Sequence, residues 1–446
     1  MSRVLSILGF FAILVLVPRV APSEQSDQPP VRGFLEIARD PSSSEAQKKT
    51  IAAVIRSVNA KNADEAYKKV MADDNLLLYG GDPEFLTDIS PLVSFTNLKT
   101  LVLYNNHISN ISPLSALTHL ETLRLELNLV SDISPLRNLA NLQSFQIDDN
   151  RISDLRPLAG HRSLRTLWIM RNKITDVKPL ASLAGLRDLY LGGNPIKDLA
   201  PLTHMSVSDL RLDDCGLVDI SALRDLNQNI EALINLDLSK NAIRNVEALA
   251  HLDHVTNLNL ADNHITDISA FAHSKFAYLD LHHNQVTDVS AIASLSPSSV
   301  DVRNNPIKDY KPLVALLGAK PYLEIRADHG FDKALSESVP VLPELAKSPV
   351  IGRWRCDPID SGEFGVLAIV IRLEANGLCH WTFCPPDVKD EMASPVATQH
   401  GQFGVKENIV IFSLGGKDGE KQELRVDGKQ LLLKAGDRTI TFKKVD

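Results

Sequence analysis

Along half of this chain, apolar residues come in pairs with one outward position between them. The pair returns about every 22 residues. Leu101 and Leu103 are followed by Asn106 and Ile108, and the same spacing recurs at Leu123, Leu125, Asn128 and Val130. It returns at Phe145, Ile147, Asn150 and Ile152, and at Leu167, Ile169, Asn172 and Ile174, with further copies starting at Leu189, Leu210, Leu236, Leu258, Leu279 and Val300. Strict alternation within each copy predicts a short strand that sends the pair to one face and the intervening residue to the other. Such a strand cannot bury its apolar side alone; stacked in parallel, the copies share one continuous core. The Asn that follows is predicted to turn the chain, its amide satisfying loop backbone groups that would be costly to bury unpaired. A second apolar clasp follows, as in Asp132-Ile133-Ser134-Pro135-Leu136, with echoes at Pro113-Leu114, Pro157-Leu158 and Pro179-Leu180. Proline fixes φ and has no N–H to satisfy, which suits a tight 3₁₀-like turn better than a strand. Between Ala222 and Ala291 that position holds Ala, and Pro312 restores it.

The copies resemble the leucine-rich-repeat signature, with Cys215 standing where the other copies carry Asn. From Leu86 to Leu313 the cadence is similar to the short repeats of bacterial internalins and of the nuclear regulatory subunit of protein phosphatase 1. The resemblance implies an α/β-type solenoid over residues 86–322, with a parallel β-sheet on the concave side and a short 3₁₀ or irregular convex side. It speaks to fold rather than function, because the repeated residues are the scaffold. Residues 31–85 differ in texture. Ser42-x-x-Glu45 and Asn62-x-x-Glu65 look like helix starts, and Ile51, Val54, Ile55 and Val58 recur at helical spacing, as do Ala66, Val70 and Met71. These predict a helical cap over the first coil, which a solenoid needs and which internalin-type proteins carry in the same place. Between Leu210 and Leu236 the period stretches by about four residues, through 224–231, and the excess is expected to bulge from the convex side or edge.

After Leu313 the repeat fades. Residues 323–348 read as a Pro-punctuated linker and 349–446 as a small all-β antiparallel barrel. Its predicted strands open at Ile351–Trp354, run from Val366 to Leu373, turn at Asn376-Gly377, and continue through Trp381 and Phe383. Later strands span 408–414, 422–426, 430–434 and 439–445, with Gly turns between them. Gly352-x-Trp354, the Asn-Gly hairpin and the final Phe442–Val445 strand resemble lipocalin-like domains of exported bacterial proteins. That likeness implies a Trp354 packed into the barrel floor and a domain separable from the repeats. Cys356, Cys379 and Cys384 permit one disulfide, expected between Cys356 and Cys379, while Cys215 is expected to stay a buried thiol.

At the other end, Arg3 precedes an apolar run from Val4 to Val17, and a polar stretch follows. This pattern is that of a secretory signal peptide, taken as residues 1–21 with a polar linker over 22–30. The run is short for a membrane span, and no other stretch is long enough. The expected location is therefore secreted, periplasmic or at the cell surface, with no span in the mature chain. The net charge of −8, with no Lys/Arg cluster, argues against nucleic acid as a partner.

No sequence pattern for a catalytic nucleophile, phosphate loop or zinc protease is present, and neither a cofactor nor a metal is expected. The information lies in the outward positions. Coils stacked in register turn each outward position into a column. One column reads Val102, Arg124, Gln146, Trp168, Tyr190, Arg211, Asp237, Asn259, Asp280, Asp301; the next reads Tyr104, Glu126, Asp148, Met170, Gly192, Asp213, Ser239, Ala261, His282, Arg303. Trp168, Met170 and Tyr190 are predicted neighbours on the concave face, flanked by Arg124 and Arg211, with Tyr104 nearby. Aromatics, Met and Arg are the types enriched where interfaces concentrate their contact energy. The expected function is an exported, monomeric, non-enzymatic module that binds a protein or peptide there, with a glycan as second ligand class. The alternatives are an enzyme or small-ligand carrier acting through the barrel, and an intracellular scaffold like the phosphatase regulator. The acidic lower half of the first column invites calcium only weakly, because Arg303 lies beside it.

Overall fold

The computed structural model describes residues 32–81, 85–227, 233–252, 254–295, 297–319, 323–328, 330–331 and 334, and beyond them the backbone of strands from Gly352 to Val445. The signal-peptide segment and the side chains of Trp354, Cys356, Cys379 and Cys384 lie outside the described residues.

Twelve three-residue strands form one parallel sheet whose spatial order is their order along the chain, from Asn75–Leu77 to Glu324–Arg326. Register is one-to-one: Leu101, Leu123, Phe145, Leu167, Leu189 and Leu210 are successive partners. Each of them is fully buried, as is the second apolar residue of each pair. A single hydrophobic core therefore runs the length of the stack, as the pairing of apolar positions predicts.

Two devices convert repetition into a stack. The first is the buried Asn. In Asn128, Oδ1 accepts the N–H of Ile108 in the preceding coil at 2.9 Å, while Nδ2 donates to Leu103 O at 2.9 Å and Leu125 O at 3.1 Å. One side chain thus satisfies backbone groups of two coils, and Asn106, Asn150, Asn172, Asn194, Asn241, Asn263, Asn284 and Asn305 do the same kind of work. Cys215 substitutes poorly but tolerably: its Sγ lies 3.5 Å from Leu191 O and from Asp213 O. Burial pushes that thiol up to about 12, so it is protonated and inert in the folded protein. The second device is the convex turn. An Asp or Asn two residues ahead accepts the N–H that opens the 3₁₀ turn, as Asp132 does from Ser134 at 2.8 Å, Asp176 from Lys178 at 2.9 Å and Asn110 from Ser112 at 2.9 Å. Proline then leads into Leu114, Leu136, Leu158 and Leu180, and alanine into Leu223, Leu249, Phe271 and Ile292, all fully buried.

Helices Phe34–Arg39, Glu45–Ser57 and Ala63–Ala72 close the N-terminal end. Phe34, Ile37, Val54, Ala66 and Val70 join the core of the first coils, so the terminal apolar surface is covered. Asn62 caps the third helix through Glu65 N–H, as its spacing predicts. The second helix starts two residues later than the sequence suggests: Ser44 and Gln47 form the reciprocal box, and the Ser42 hydroxyl donates to Asp40 instead.

The C-terminal strands are antiparallel. The strand Gly352–Cys356 pairs both with Arg438–Val445 and with Val366–Leu373, and the ladder continues through Leu378–Cys384, Ala397–Lys406, Ile409–Leu414, Lys421–Asp427 and Gln430–Ala435. Leu431 and Phe442, paired across two of these strands, are both fully buried. Among the described residues no helix is long and apolar enough to cross a membrane.

Candidate binding face

The strand residues between the apolar pairs all point away from the core, and register places them in columns as the alternation requires. Within the concave face two aromatic groups stand apart. The larger is centred on Trp168 and Tyr190, direct partners on adjacent strands. Their rings stack with centroids 5.0 Å apart and planes 10° from parallel, and the guanidinium of Arg211 lies 4.2 Å above the Tyr190 ring. Arg211 also approaches Asp209, at 3.6 Å, which holds the guanidinium over the ring. Burial raises the Tyr190 hydroxyl above its ordinary range, so it remains a neutral donor. The Trp168 indole N–H is shielded from water and has no hydrogen-bond partner.

The smaller group is Tyr79, Tyr104 and Arg124. The two rings meet edge-on at 6.4 Å, and the Arg124 guanidinium sits 5.9 Å from the Tyr104 ring centroid. Arg124 is expected from its column to flank Trp168, but Gln146 intervenes in the register. Its guanidinium turns instead to Glu126, two residues along its own strand, with Nη2–Oε1 at 2.6 Å. Arg211 is therefore the arginine that joins the Trp168 group, and Arg124 belongs to Tyr104. Tyr79, 61 % exposed, is a participant that the repeat pattern does not reveal. Its coil carries Leu76 and Leu78 but Gly81 where the others carry Asn, so the copy escapes detection.

Beside the aromatic column runs an acidic one. Glu126 is buried, and its Oε2 has no partner. Asp148 accepts the Met170 N–H at 2.6 Å, and burial moves its carboxyl up to about 6. Asp213 is likewise raised, chiefly by burial and then by neighbouring Asp237, and its Oδ1 is unpartnered. Gly192 leaves a notch between Met170 and Asp213; a Cβ there would lie 2.2 Å from the Asp213 carboxylate. The half-buried side chain of Met170 borders this notch from the preceding coil. The result is a stacked aromatic ridge alongside carboxylates that lack full compensation. Such a surface can take flat apolar groups on the ridge and a cation over the carboxylates.

From Asp237 onward the same positions are polar and mutually satisfied. Asn259 Nδ2 donates to Asp237 Oδ2 at 3.2 Å, Asp280 accepts from His282 Nδ1 at 2.7 Å, and Arg303 grips Asp301 through Nε and Nη2. Asp280 and Asp301 are partners in register, and each has its own hydrogen-bonding partner, His282 and Arg303.

The comparisons agree with this architecture. A family model described as leucine-rich repeats (two copies) matches residues 162–204. An internalin from Listeria monocytogenes superposes with a TM-score of 0.54 at 22 % identity, over 68 % of this chain and 95 % of its own. Internalin C2 of the same organism gives 0.44 at 29 % identity, over 51 % of this chain and 96 % of its own. A leucine-rich-repeat protein of Leptospira interrogans gives 0.47 at 20 % identity, over 58 % and 74 %. No curated protein matches the sequence significantly. The fold is thus that of a leucine-rich-repeat solenoid with a short-turned convex side.

Proposed function

We propose that the protein is an exported binding module that holds a protein or peptide segment against the concave face, between the Tyr104 and Arg211 coils. Trp168 and Tyr190 are the anchors, Arg211 braces them, and Met170, Tyr104 and Arg124 extend the contact. The observation that carries this reading is the Trp168–Tyr190–Arg211 stack. It stands on the solvent side of strands whose other side already completes the core, so it does nothing for the fold that smaller polar residues would not do. Rigid aromatic rings lose little rotamer freedom on binding and bury large areas, which is why such residues dominate contact energies. Asp148 and Asp213, whose carboxyls are raised chiefly by burial, favour a ligand that brings positive charge next to an aromatic or apolar group.

Export rests on the Arg3 and Val4–Val17 pattern, and the similarity to internalins is in keeping with it. In this reading the C-terminal ladder, whose strand Gly352–Cys356 pairs with both Val366–Leu373 and Arg438–Val445, is a lipocalin-like barrel. It serves as a separable module. The expected Cys356–Cys379 bridge does not fit its register: Val366–Leu373 lies between the two cysteine-bearing strands, and Leu373 pairs with both Gly352 and Cys379, which leaves Cys356 at the other end of its strand.

Selection of a displayed random-peptide library on the full chain tests the proposal. Enriched peptides should combine Lys or Arg with an aromatic or aliphatic residue, and the Trp168→Ala protein should not retain them. Peptides that bind both proteins equally would move the binding surface elsewhere, and retention only of oligosaccharides on a glycan array would replace the peptide by a sugar.

A further inference from the structure

We propose that Asp262, His282 and His283 form a binding site for a divalent transition-metal ion of the zinc class. The three residues come from loops at the strand ends of two neighbouring coils. Asp262 and His283 occupy the same left-handed position in successive coils, with φ of 54° each. Stacking fixes them there: Asp262 N–H donates to His282 O and His283 N–H to Arg303 O, both at 2.9 Å. The Asp262 carboxylate faces both rings, with Oδ1 2.8 Å from His283 Nδ1 and Oδ2 3.7 Å from His282 Nε2. One ligand atom from each residue lies within 4.8 Å of the other two. Zinc bonds of about 2.0–2.1 Å would draw those atoms to roughly 3.3–3.5 Å from one another, which requires only small side-chain rotations.

Asp280 makes this more than a surface coincidence. It is buried and accepts three donors: the Tyr278 hydroxyl at 3.3 Å, the His282 backbone N–H at 3.0 Å and the His282 ring at Nδ1, 2.7 Å away. A carboxylate only accepts, so Nδ1 carries the ring proton and the Nε2 lone pair is left facing Asp262. A carboxylate behind the imidazole, fixing tautomer and orientation, is the arrangement that supports metal-ligating histidines. The donor set of two imidazoles and one carboxylate suits zinc rather than calcium or magnesium, which take oxygen shells. Asp301, the other acid in reach of His282, is engaged by Arg303, which leaves Asp262 as the third ligand. His283 is 55 % and Asp262 37 % exposed at the side chain, so an ion has access and a solvent-facing fourth position. In the coils of Asp149 and Arg171 the equivalent loop pair is closed by a salt bridge. Here the basic partner is an imidazole, which can exchange the proton it shares with Asp262 for a metal ion.

Calorimetric titration of the full chain with zinc, with cobalt absorption as a second readout, tests the site. His282→Ala and His283→Asn place the residues found at the equivalent positions of the neighbouring coils, Ala261 and Asn304, so both variants should fold, as circular dichroism will show. The wild type should bind one more ion than the double variant, and each single variant should lose at least about tenfold in affinity. Asp280→Asn, which removes no ligand, should weaken zinc by about 10–100-fold. Equal zinc stoichiometry in the wild type and a folded double variant, or displacement of the ion by calcium, would overturn the assignment.

Discussion

The two halves of the concave face use one backbone and opposite side-chain logic. In the coils of Trp168 to Arg211 the outward residues are large and stacked, and the neighbouring acids are incompletely paired. Trp168 Nε1, Glu126 Oε2 and Asp213 Oδ1 are shielded yet unpartnered. In the coils of Asp237 to Asp301 the residues are polar except Ala261, and the acids among them are paired by their neighbours. Sheet register and core run through both halves, with the Asn ladder interrupted only at Cys215 and the period stretched only after Leu210, so the scaffold alone does not account for the difference. The scaffold tolerates either solution; under the proposed function, the unpartnered polar atoms of the upper half belong to the binding face. The lower half, already satisfied, has less to offer a peptide.

The largest expected effect separates scaffold from surface within a single strand. Leu167→Ala should cost about 2–5 kcal/mol by opening a cavity in the stacked core. Trp168→Ala, one residue away and facing out, should change the denaturation midpoint little. Equal losses in chemical denaturation would contradict the two-faced strand. Asn172→Ala should come next. It strips Ile152 N–H of its partner and leaves the carbonyls of Ile147 and Ile169 to the amides of Asn150 and Asn194. A loss of about 1–3 kcal/mol is expected, the cost of one unsatisfied buried group. A loss under half a kilocalorie per mole would mean that the Asn ladder is not what joins the coils.

A third substitution probes the uncompensated acids directly. Asp148 has its folded-state pKa raised from 3.8 to about 6 by burial. A raised carboxyl contributes stability that is fully present below the unfolded value and is lost as pH rises through about 6. Asp148→Asn should therefore stabilise the protein at pH 8, by on the order of 1 kcal/mol after allowance for partial exposure, and should be neutral at pH 3. Melting curves at the two pH values decide it; a stabilisation at pH 3 as large as at pH 8 would point to packing rather than charge. The smallest effect concerns the loops. Leu127 holds φ at 55° and is 39 % exposed. Leu127→Asn, the residue at that position in the Asn105 and Asn304 coils, should stabilise by about 0.5–1 kcal/mol by relieving left-handed strain. A thermal melt that drops would show that Leu127 makes contacts worth more than the strain.

Most of the solenoid was legible because its signal is repeated: the same apolar pair and Asn recur with each coil, so register and facing follow from counting. The end coils were harder to read. Both carry glycine, Gly81 and Gly330, where the inner coils carry Asn; at Gly81 the preceding coil that an Asn would tie is replaced by the helical cap. Strand Ala397–Lys406 was also missed. Gly401 and Gly404 and a run of polar residues break its alternation, and only pairing with Leu378–Cys384 and Ile409–Leu414 makes it a strand. At the concave face the columns gave the neighbours but not their choices. Order along a column places Arg124 two coils from Trp168; it does not say that Glu126, on its own strand, will capture the guanidinium. The meeting of Asp262 with His282 and His283 depends on loop positions in two coils that strand alternation does not describe.

The central claim is that the Trp168 half of the face, and not the Asp237 half, makes the partner's contacts. Its most direct test is the dissociation constant of one selected peptide for three proteins: wild type, Trp168→Ala and Asn259→Ala. The account predicts a loss of about thirtyfold, near 2 kcal/mol, for Trp168→Ala and a change within about twofold for Asn259→Ala. Equal affinities for the wild type and Trp168→Ala, or a larger loss at Asn259, would contradict it.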